Sequence, residues 1–184
     1  MKKFELTSEF VTNIFGTKLF RIKALVAFGD VEAGELGGYI EKEENLDHDG
    51  NAWVYGNAWV CGDAWVYGNA MVCDDARVCG DARVCGDAMV YGNAWVYGDA
   101  WVYGDAWVYG NADYAYAHGF GSVNRTTTFF RLKDGGVGVR CGCFYGTLGQ
   151  FREKVQETHR DGKLAQEYLM LADLMELRFT KEEG

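Results

Sequence analysis

The chain has 184 residues, of which 48% are hydrophobic and 24% charged, values typical of one globular domain or two small ones. It contains no proline and no run of about 18 apolar residues, so the sequence argues against Pro-rich linkers and predicts no membrane-spanning helix. The formal charge of −9 disfavours direct nucleic-acid binding, because the phosphates would be repelled, but it permits binding to a basic protein surface.

The N-terminal sequence MKKFELTSEF lacks the apolar core of a secretory signal, so we expect a cytoplasmic protein whose six cysteines are reduced.

The segments FELT and KLFRIKALVAF predict two strands. Residues 37–40, with the sequence GGYI, predict an irregular first coil or a cap in front of the repeats that follow. We assign residues 1–49 to an N-terminal β cap with this irregular first coil.

Ten consecutive hexapeptides run from Gly50 to Tyr109 with the consensus G-[ND]-A-x-V-[YC]. Ala-x-Val is a short extended segment whose Ala and Val share a face, and Gly-Asn or Gly-Asp is turn chemistry. A chain that bends every six residues forms a solenoid, with Ala and Val inside and the x and Tyr/Cys positions outside. We assign residues 50–115 to this element.

This pattern resembles the hexapeptide-repeat, left-handed parallel β-helix family, with Val at its aliphatic position and Ala at its small position. In that family three hexapeptides form one triangular coil, so the resemblance implies that residues 18 apart stack at the spacing of parallel strands, about 4.8 Å. The predicted fold class is therefore mainly β, with a left-handed parallel β-helix of about 3–4 coils. Val54, Val72 and Val90 should lie over one another inside it.

Stacking sorts the outward residues into columns. The Trp and Tyr columns expose more apolar surface than monomers usually do, so they should form aromatic ladders or a packed interface, and they could also stack against sugars or bases.

Asp63, Asp81 and Asp99 share one corner, either as solvated turn residues or as an acidic ridge that imitates phosphates. Cys61 and Cys79 should be neighbours one coil apart, close enough to bridge if oxidised.

Two arginines interrupt the aromatic columns. Arg77 and Arg83 should pair with Asp74, Asp75 or Asp81, or lie over Trp faces as cation–π contacts. The candidate binding residues are Trp53, Trp59, Trp65, Trp95, Trp101, Trp107, Arg77, Arg83, Asp63, Asp81 and Asp99.

The rest of the chain, residues 116–184, is assigned to a ββαα domain. The segments TTTFFRLKD and GVGVRCGCFY predict a hairpin around residues 134–136. Thr147 and Gln150 predict a capping box for a helix that ends near His159, and Asp161 or Gly162 opens a second helix. The apolar stripe of the second helix is predicted to contain Leu164, Tyr168, Leu171 and Met175.

Catalytic and metal-binding chemistry find little support in the sequence. His48, His118 and His159 all lie outside the regular repeats, so acyl transfer with a general-base histidine is retained only as an alternative. Cys141 and Cys143 should share a strand face, but no second pair completes the four ligands of a zinc site. We predict no catalytic residues, no metal and no cofactor.

Three segments together resemble a family of small proteins encoded by phages and prophages of Gram-positive bacteria, often described as hypothetical or polymer-forming. They are KLFRIKAL with GELGGYIEKEENL, the hexapeptides, and the tail VRCGCFYGTLGQFREKV with YLMLADLMELRF. The resemblance implies a cytoplasmic protein of a bacterial host cell, and phage proteins of this size are often inhibitors of host machinery.

We therefore predict a non-catalytic, phage-derived interaction protein that inhibits a host defence system through a rigid β-helical surface. Its partners would be a host or defence protein and further copies of itself, as a dimer or trimer, with no nucleic acid and no membrane. The alternatives are a self-assembling structural protein, and an acyltransferase-like enzyme or binder of a sugar or nucleotide.

Overall fold

The computed structural model describes residues 2–180. Three N-terminal strands, β1 (Phe4–Thr12), β2 (Lys18–Ala24) and β3 (Leu36–Ile40), precede a short 3-10 turn at Glu43–Asn45. Ten two-residue strands follow, one in each hexapeptide. They are β4 (Trp53–Val54), β5 (Trp59–Val60), β6 (Trp65–Val66), β7 (Met71–Val72), β8 (Arg77–Val78), β9 (Arg83–Val84), β10 (Met89–Val90), β11 (Trp95–Val96), β12 (Trp101–Val102) and β13 (Trp107–Val108).

The C-terminal elements are four longer strands and two helices. They are β14 (Tyr114–Phe120), β15 (Arg125–Arg131), β16 (Val137–Cys141), β17 (Phe144–Thr147), α1 (Leu148–His159) and α2 (Lys163–Phe179). No helix among residues 2–180 is long and apolar enough to cross a bilayer.

The hexapeptides stack as parallel strands 18 residues apart, which confirms the predicted solenoid. Val54 pairs with Val72, Val72 with Val90, and Val90 with Val108, in the order β4-β7-β10-β13. This four-strand face is called face B. Face A contains β3, β5, β8 and β11, and face C contains β6, β9 and β12. The structure is thus a β-solenoid of about four turns, whose left-handed sense stays a prediction from the resemblance.

The interior is filled by the two small aliphatic positions of each repeat. Every Ala and Val of the ten repeats is 0–1% exposed. The first turn forms before the repeats begin, because β3 pairs in parallel with β5 and Leu46 bridges to Val66. Asn45 is buried in this turn and donates hydrogen bonds from its amide to the carbonyls of Gly62 and Ala64, at 3.0 and 2.8 Å. The amide therefore satisfies backbone acceptors that the irregular turn leaves unpaired.

The N-terminal segment covers one end of face B. The β1–β2 hairpin extends face A into a six-stranded sheet. The rings of Phe4 and Phe28 meet the Trp53 indole edge-on, at centroid distances of 6.2 and 5.3 Å. The Lys3 side chain lies in the same region, where its ammonium donates to the Ala52 carbonyl at 2.9 Å. Burial lowers the pKa of this ammonium to about 8.

The C-terminal sheet contains two strands more than the predicted hairpin. The hairpin partners β15 and β16 are flanked by β14 and β17, in the antiparallel order β14-β15-β16-β17. The segment GVGVRCGCFY does not form one strand, because Gly142 has a φ of +58° and turns the chain between β16 and β17. Cys141 and Cys143 therefore do not share a strand face as predicted. Strand β15 crosses the last coil, where Thr128 accepts a hydrogen bond from the Trp101 backbone N–H at 2.9 Å.

Both helices begin as predicted. Thr147 and Gln150 form the capping box of α1, and Gly162 is the N-cap of α2. The stripe of α2 is only partly as predicted, since Tyr168 and Met175 are buried but Leu164 and Leu171 are half-buried. The helix is rotated relative to the predicted stripe, so that Ala165 and Ala172 are buried in place of Leu164 and Leu171. The buried residues of α2 are Ala165, Tyr168, Ala172, Met175 and Phe179.

Most corner glycines should tolerate a side chain poorly, because their φ is positive and the next coil lies directly above, although Asp74 occupies one corner at a φ of +61°. A Cβ on Gly80 (φ +73°) would lie 3.0 Å from the backbone N of Gly98, whereas a Cβ on Gly135 (φ +86°) would meet nothing within 4 Å. We expect Gly135→Ala to lower the free energy of unfolding by about 1 kcal/mol, and Gly80→Ala by about 2–3 kcal/mol. Urea unfolding of both variants measures this difference, and equal losses would contradict direct stacking of the corners.

Lys3 should make stability depend on pH. Its folded pKa of about 8 lies below the unfolded value of 10.5, so between pH 7 and 9 the folded chain releases a proton that the unfolded chain keeps. We expect this group to raise the free energy of unfolding by about 1 kcal/mol from pH 7 to pH 9. Urea unfolding at both pH values should show that increment in the natural chain and its loss in Lys3→Met. An unchanged pH dependence in the variant would show that Lys3 titrates normally.

Candidate functional site

The solenoid presents its x residues in straight rows, because each two-residue strand contributes one outward side chain at the same height on its face. On face A, Trp59 pairs with Arg77 and Arg77 with Trp95 in the parallel ladder. On face C, Trp65 pairs with Arg83 and Arg83 with Trp101. The rows therefore bring cations and aromatic rings together at the spacing of one coil.

The row on face A is a stack of one guanidinium between two indoles. The Arg77 guanidinium carbon lies 4.7 Å from the Trp59 ring centroid and 5.7 Å from that of Trp95. Arg77 is exposed, and Trp95 is 42% exposed. We call these three side chains the face A row.

The row on face C has the reverse order, with one indole between two guanidiniums. Arg83 lies 5.4 Å from the Trp101 ring centroid, and Arg140 lies 4.2 Å from the same centroid. Arg140 comes from β16, so the C-terminal sheet completes this stack, which we call the face C row. Trp65 is not part of it, because its 39% exposed indole stacks on Tyr67 at 4.1 Å.

Stacking, and not ion pairing, holds the two arginines of the repeats. Within residues 2–180, neither the Arg77 nor the Arg83 guanidinium forms a hydrogen bond or a salt bridge, so the predicted pairs with Asp74, Asp75 or Asp81 are absent and the alternative contact with Trp faces is present. A guanidinium carries five N–H donors. Both rows therefore position a cation through its flat faces while its donors stay free for an acceptor outside the chain.

Two of the tryptophans predicted to bind differ from the others. Trp53 is 0% exposed beneath Phe4 and Phe28, so its assignment as a binding residue is wrong. The repeat pattern places it outside, but the N-terminal segment then covers it. Trp107 is half-buried at the other end of face B, where the Lys133 ammonium lies 5.3 Å from its ring.

The acidic corner is interrupted at both ends. The Asp63 carboxylate accepts a hydrogen bond from the Lys42 ammonium at 2.6 Å, and this contact lowers the pKa of Asp63. At the other end, His118 lies 3.5 Å from the Asp99 carboxylate. Asp81 is exposed between them. A continuous ridge of three free carboxylates is therefore not present, which weakens the interpretation as an imitation of phosphates.

Cys61 and Cys79 are neighbours on face A, as the 18-residue interval predicts. Their Sγ atoms lie 2.7 Å apart, and both side chains are half-buried. The hydrogen bond between the two thiols raises the pKa of Cys61 and lowers that of Cys79, whose thiolate is also stabilised by the Trp95 indole N–H and the Arg77 charge. The proximity of the two sulfur atoms places this pair to form a disulfide under oxidation.

The three histidines lie in different segments of the fold and have different neighbours. The His118 imidazole is exposed on β14 and bonds to Thr126 Oγ1 at 2.8 Å, whereas His48 stacks on Phe4 with ring centroids 4.3 Å apart. His159 stacks on the Tyr168 ring at 5.8 Å. Each histidine therefore contacts a neighbouring side chain.

Two features of the site have no local signal in the sequence. Arg140 belongs to the face C row although it is 39 positions from Trp101, and its strand carries no repeat motif. An open cleft of about 610 Å³ also forms where face A meets β14 and α2, with Trp95, Tyr97 and Arg178 among its lining residues. Both features depend on how the C-terminal sheet packs on the solenoid.

Comparison with known proteins supports the architecture. Residues 82–98 match the family model described as the YdcK beta solenoid repeat. The matched segment lies within the stacked strands, so sequence similarity and coordinates agree on a β-solenoid protein. No curated protein matches the chain.

Peroxide should join Cys61 to Cys79 in preference to other pairs, because their Sγ atoms lie 2.7 Å apart. In this reaction the two thiols lose two hydrogens to one peroxide molecule, which is reduced to two molecules of water. Peptide mapping of the treated protein should recover one cross-linked peptide, lighter by about 2 Da than the sum of its reduced parts. Cys79→Ser should abolish that peptide, whereas Cys143→Ser should leave it. A map dominated by other linkages would contradict the observed geometry.

Proposed function

We propose that this chain is a non-catalytic protein-binding module that docks acidic side chains of a partner protein on the face A and face C rows. The observation that carries the proposal is the state of Arg77 and Arg83, whose guanidiniums are fixed by stacking and have no bonded acceptor within residues 2–180. A fixed guanidinium loses less entropy when it binds a carboxylate than a free one does.

The composition of the rows favours a protein partner over nucleic acid. Trp, Tyr and Arg are the residue types enriched at binding hot spots. The overall charge of −9 opposes the long-range attraction on which nucleic-acid binding depends, although a local arginine can still pair with a carboxylate. The solenoid supports such docking because its parallel ladders hold the rows rigid, so little reorganisation is needed on binding.

The identity of the partner follows only from resemblance. The likeness to phage and prophage proteins leads us to propose a host protein, with a component of host defence as the hypothesis to test first. Self-association as a dimer or trimer stays part of the proposal. Filament formation and acyl transfer are the competing functions.

The proposal predicts that Arg77→Glu removes partner binding. The full chain, immobilised and exposed to lysate of a Gram-positive host, should retain a defined partner, and Arg77→Glu should retain at least about tenfold less of it, because one buried charge reversal at an interface costs several kcal/mol. The matched control is Lys154→Glu, which reverses a charge on the exposed surface of α1.

The retained protein should then be purified and titrated against the three forms of the chain by calorimetry. Equal affinity for the natural chain and Arg77→Glu would show that the rows are not the interface. Retention of no protein by the natural chain, with formation of large assemblies in light scattering, would favour the structural alternative.

A further inference from the structure

Helix α2 has an apolar stripe on the side that faces away from its own domain. Met170, Leu174 and Leu177 are 72%, 54% and 75% exposed. Their spacing of four and three residues puts them on one side of the helix, opposite the buried residues Ala172 and Met175. We call these three side chains the α2 stripe. Three large apolar side chains adjoining one another on a surface helix are typical of a contact site.

The helix is held rigidly enough to present this stripe. One Arg152 guanidinium nitrogen on α1 donates to Asp173 at 2.7 Å and to Glu176 at 2.8 Å, which ties the two helices together. The 17 residues of α2 span about 25 Å, long enough to pair with another helix along its length. The stripe is therefore a fixed feature of the folded domain.

The charges beside the stripe indicate what covers it. Glu167 and Arg178 lie on the same flank, Glu167 towards the N-terminal end and Arg178 towards the C-terminal end. When two such helices pair antiparallel about a twofold axis near residue 172, Met170 of each copy faces Leu174 of the other. The same axis brings Glu167 of each copy beside Arg178 of the other, so the apolar and the charged contacts are satisfied by one geometry. A parallel pair would not bring these two charges together, because like positions would then lie level.

Both charged groups are free enough to make this contact. The only ion pair of Glu167 within residues 2–180 is to Lys163 at 3.7 Å, and the Lys163 side chain is 87% exposed. Arg178 uses one nitrogen to donate to the Asn111 carbonyl at 3.0 Å, which leaves its other donors available.

We propose that a second copy of this chain covers the α2 stripe, forming a twofold-symmetric antiparallel helix pair. This inference deepens the self-association part of the proposed function by naming its surface, and it does not depend on the partner of the arginine rows. The pairing is isologous, so it closes at a dimer and does not extend into a filament. An interface built mainly by one helix belongs to the small, reversible class.

Sedimentation equilibrium of the full chain tests the proposal. The natural chain should show a monomer–dimer equilibrium, and Leu174→Glu should weaken it by at least about tenfold, because it places two carboxylates in the apolar contact. Ile14→Glu is the matched control, since Ile14 is 90% exposed in the turn between β1 and β2 and should leave the equilibrium unchanged. Circular dichroism should show that both variants keep the natural fold.

Charge reversal tests the orientation. Glu167→Arg and Arg178→Glu should each weaken the dimer, because each places like charges together twice, and the double variant should restore it to within about threefold of the natural chain. A natural chain that stays monomeric at about 200 µM, or a Leu174→Glu variant that dimerises normally, would overturn the proposal. Dimerisation without rescue in the double variant would overturn the antiparallel arrangement.

The same variants separate the two proposals of this structure. Arg77→Glu should leave dimerisation unchanged, and Leu174→Glu should still retain a partner from lysate. Loss of dimerisation in Arg77→Glu, together with normal dimerisation of Leu174→Glu, would mean that self-association uses face A and would exclude the α2 stripe as the dimer contact.

Discussion

The fold depends on one constraint, which is that every coil must repeat the backbone of the coil below it at an interval of 18 residues. Parallel ladder bonds between coils satisfy the backbone of each hexapeptide, as in the bond from the Trp59 N–H to the Ala76 carbonyl at 2.9 Å. This stacking is possible only if each inward position is small and each corner turns in the same way. Ala and Val meet the first condition in every repeat, and Gly meets the second in all but one, where Asp74 adopts a φ of +61°. The repeats therefore vary mainly at their outward positions.

The outward positions then acquire properties that no single repeat has. A Trp-to-Arg change in one hexapeptide places a guanidinium between the indoles of the coils below and above it, as Arg77 shows. Columns of Asn and Asp at the corners become hydrogen-bonded ladders in the same way, since the Asn51 amide donates to Asn69 and the Asn69 amide to Asp87, at 3.1 and 2.9 Å. The chemical properties of this surface therefore belong to the stack of coils and not to a single repeat, and the binding function that we propose depends on them.

The two ends of the solenoid are closed by unrelated structures, and each changes the surface near it. The N-terminal segment removes Trp53 from the surface, and the C-terminal sheet adds Arg140 to the face C row. A solenoid needs such caps because its terminal coils would otherwise expose ladder groups and aliphatic filling. Here the caps also decide how much of each aromatic column is accessible to a partner.

The sequence alone determined the solenoid and its interior, because a six-residue period is a local signal that recurs in every repeat. The 18-residue register came from the resemblance to hexapeptide-repeat proteins, in which three repeats form one coil. That register also placed Arg77, Trp59 and Trp95 in one row and Cys61 beside Cys79, since those contacts follow from the same interval. Only the tertiary structure decided the burial of Trp53, the contribution of Arg140 and the rotation of α2 that leaves Leu174 exposed. Those contacts join segments far apart in the chain with no shared period, so they depend on the packing of whole elements and not on a repeated local pattern.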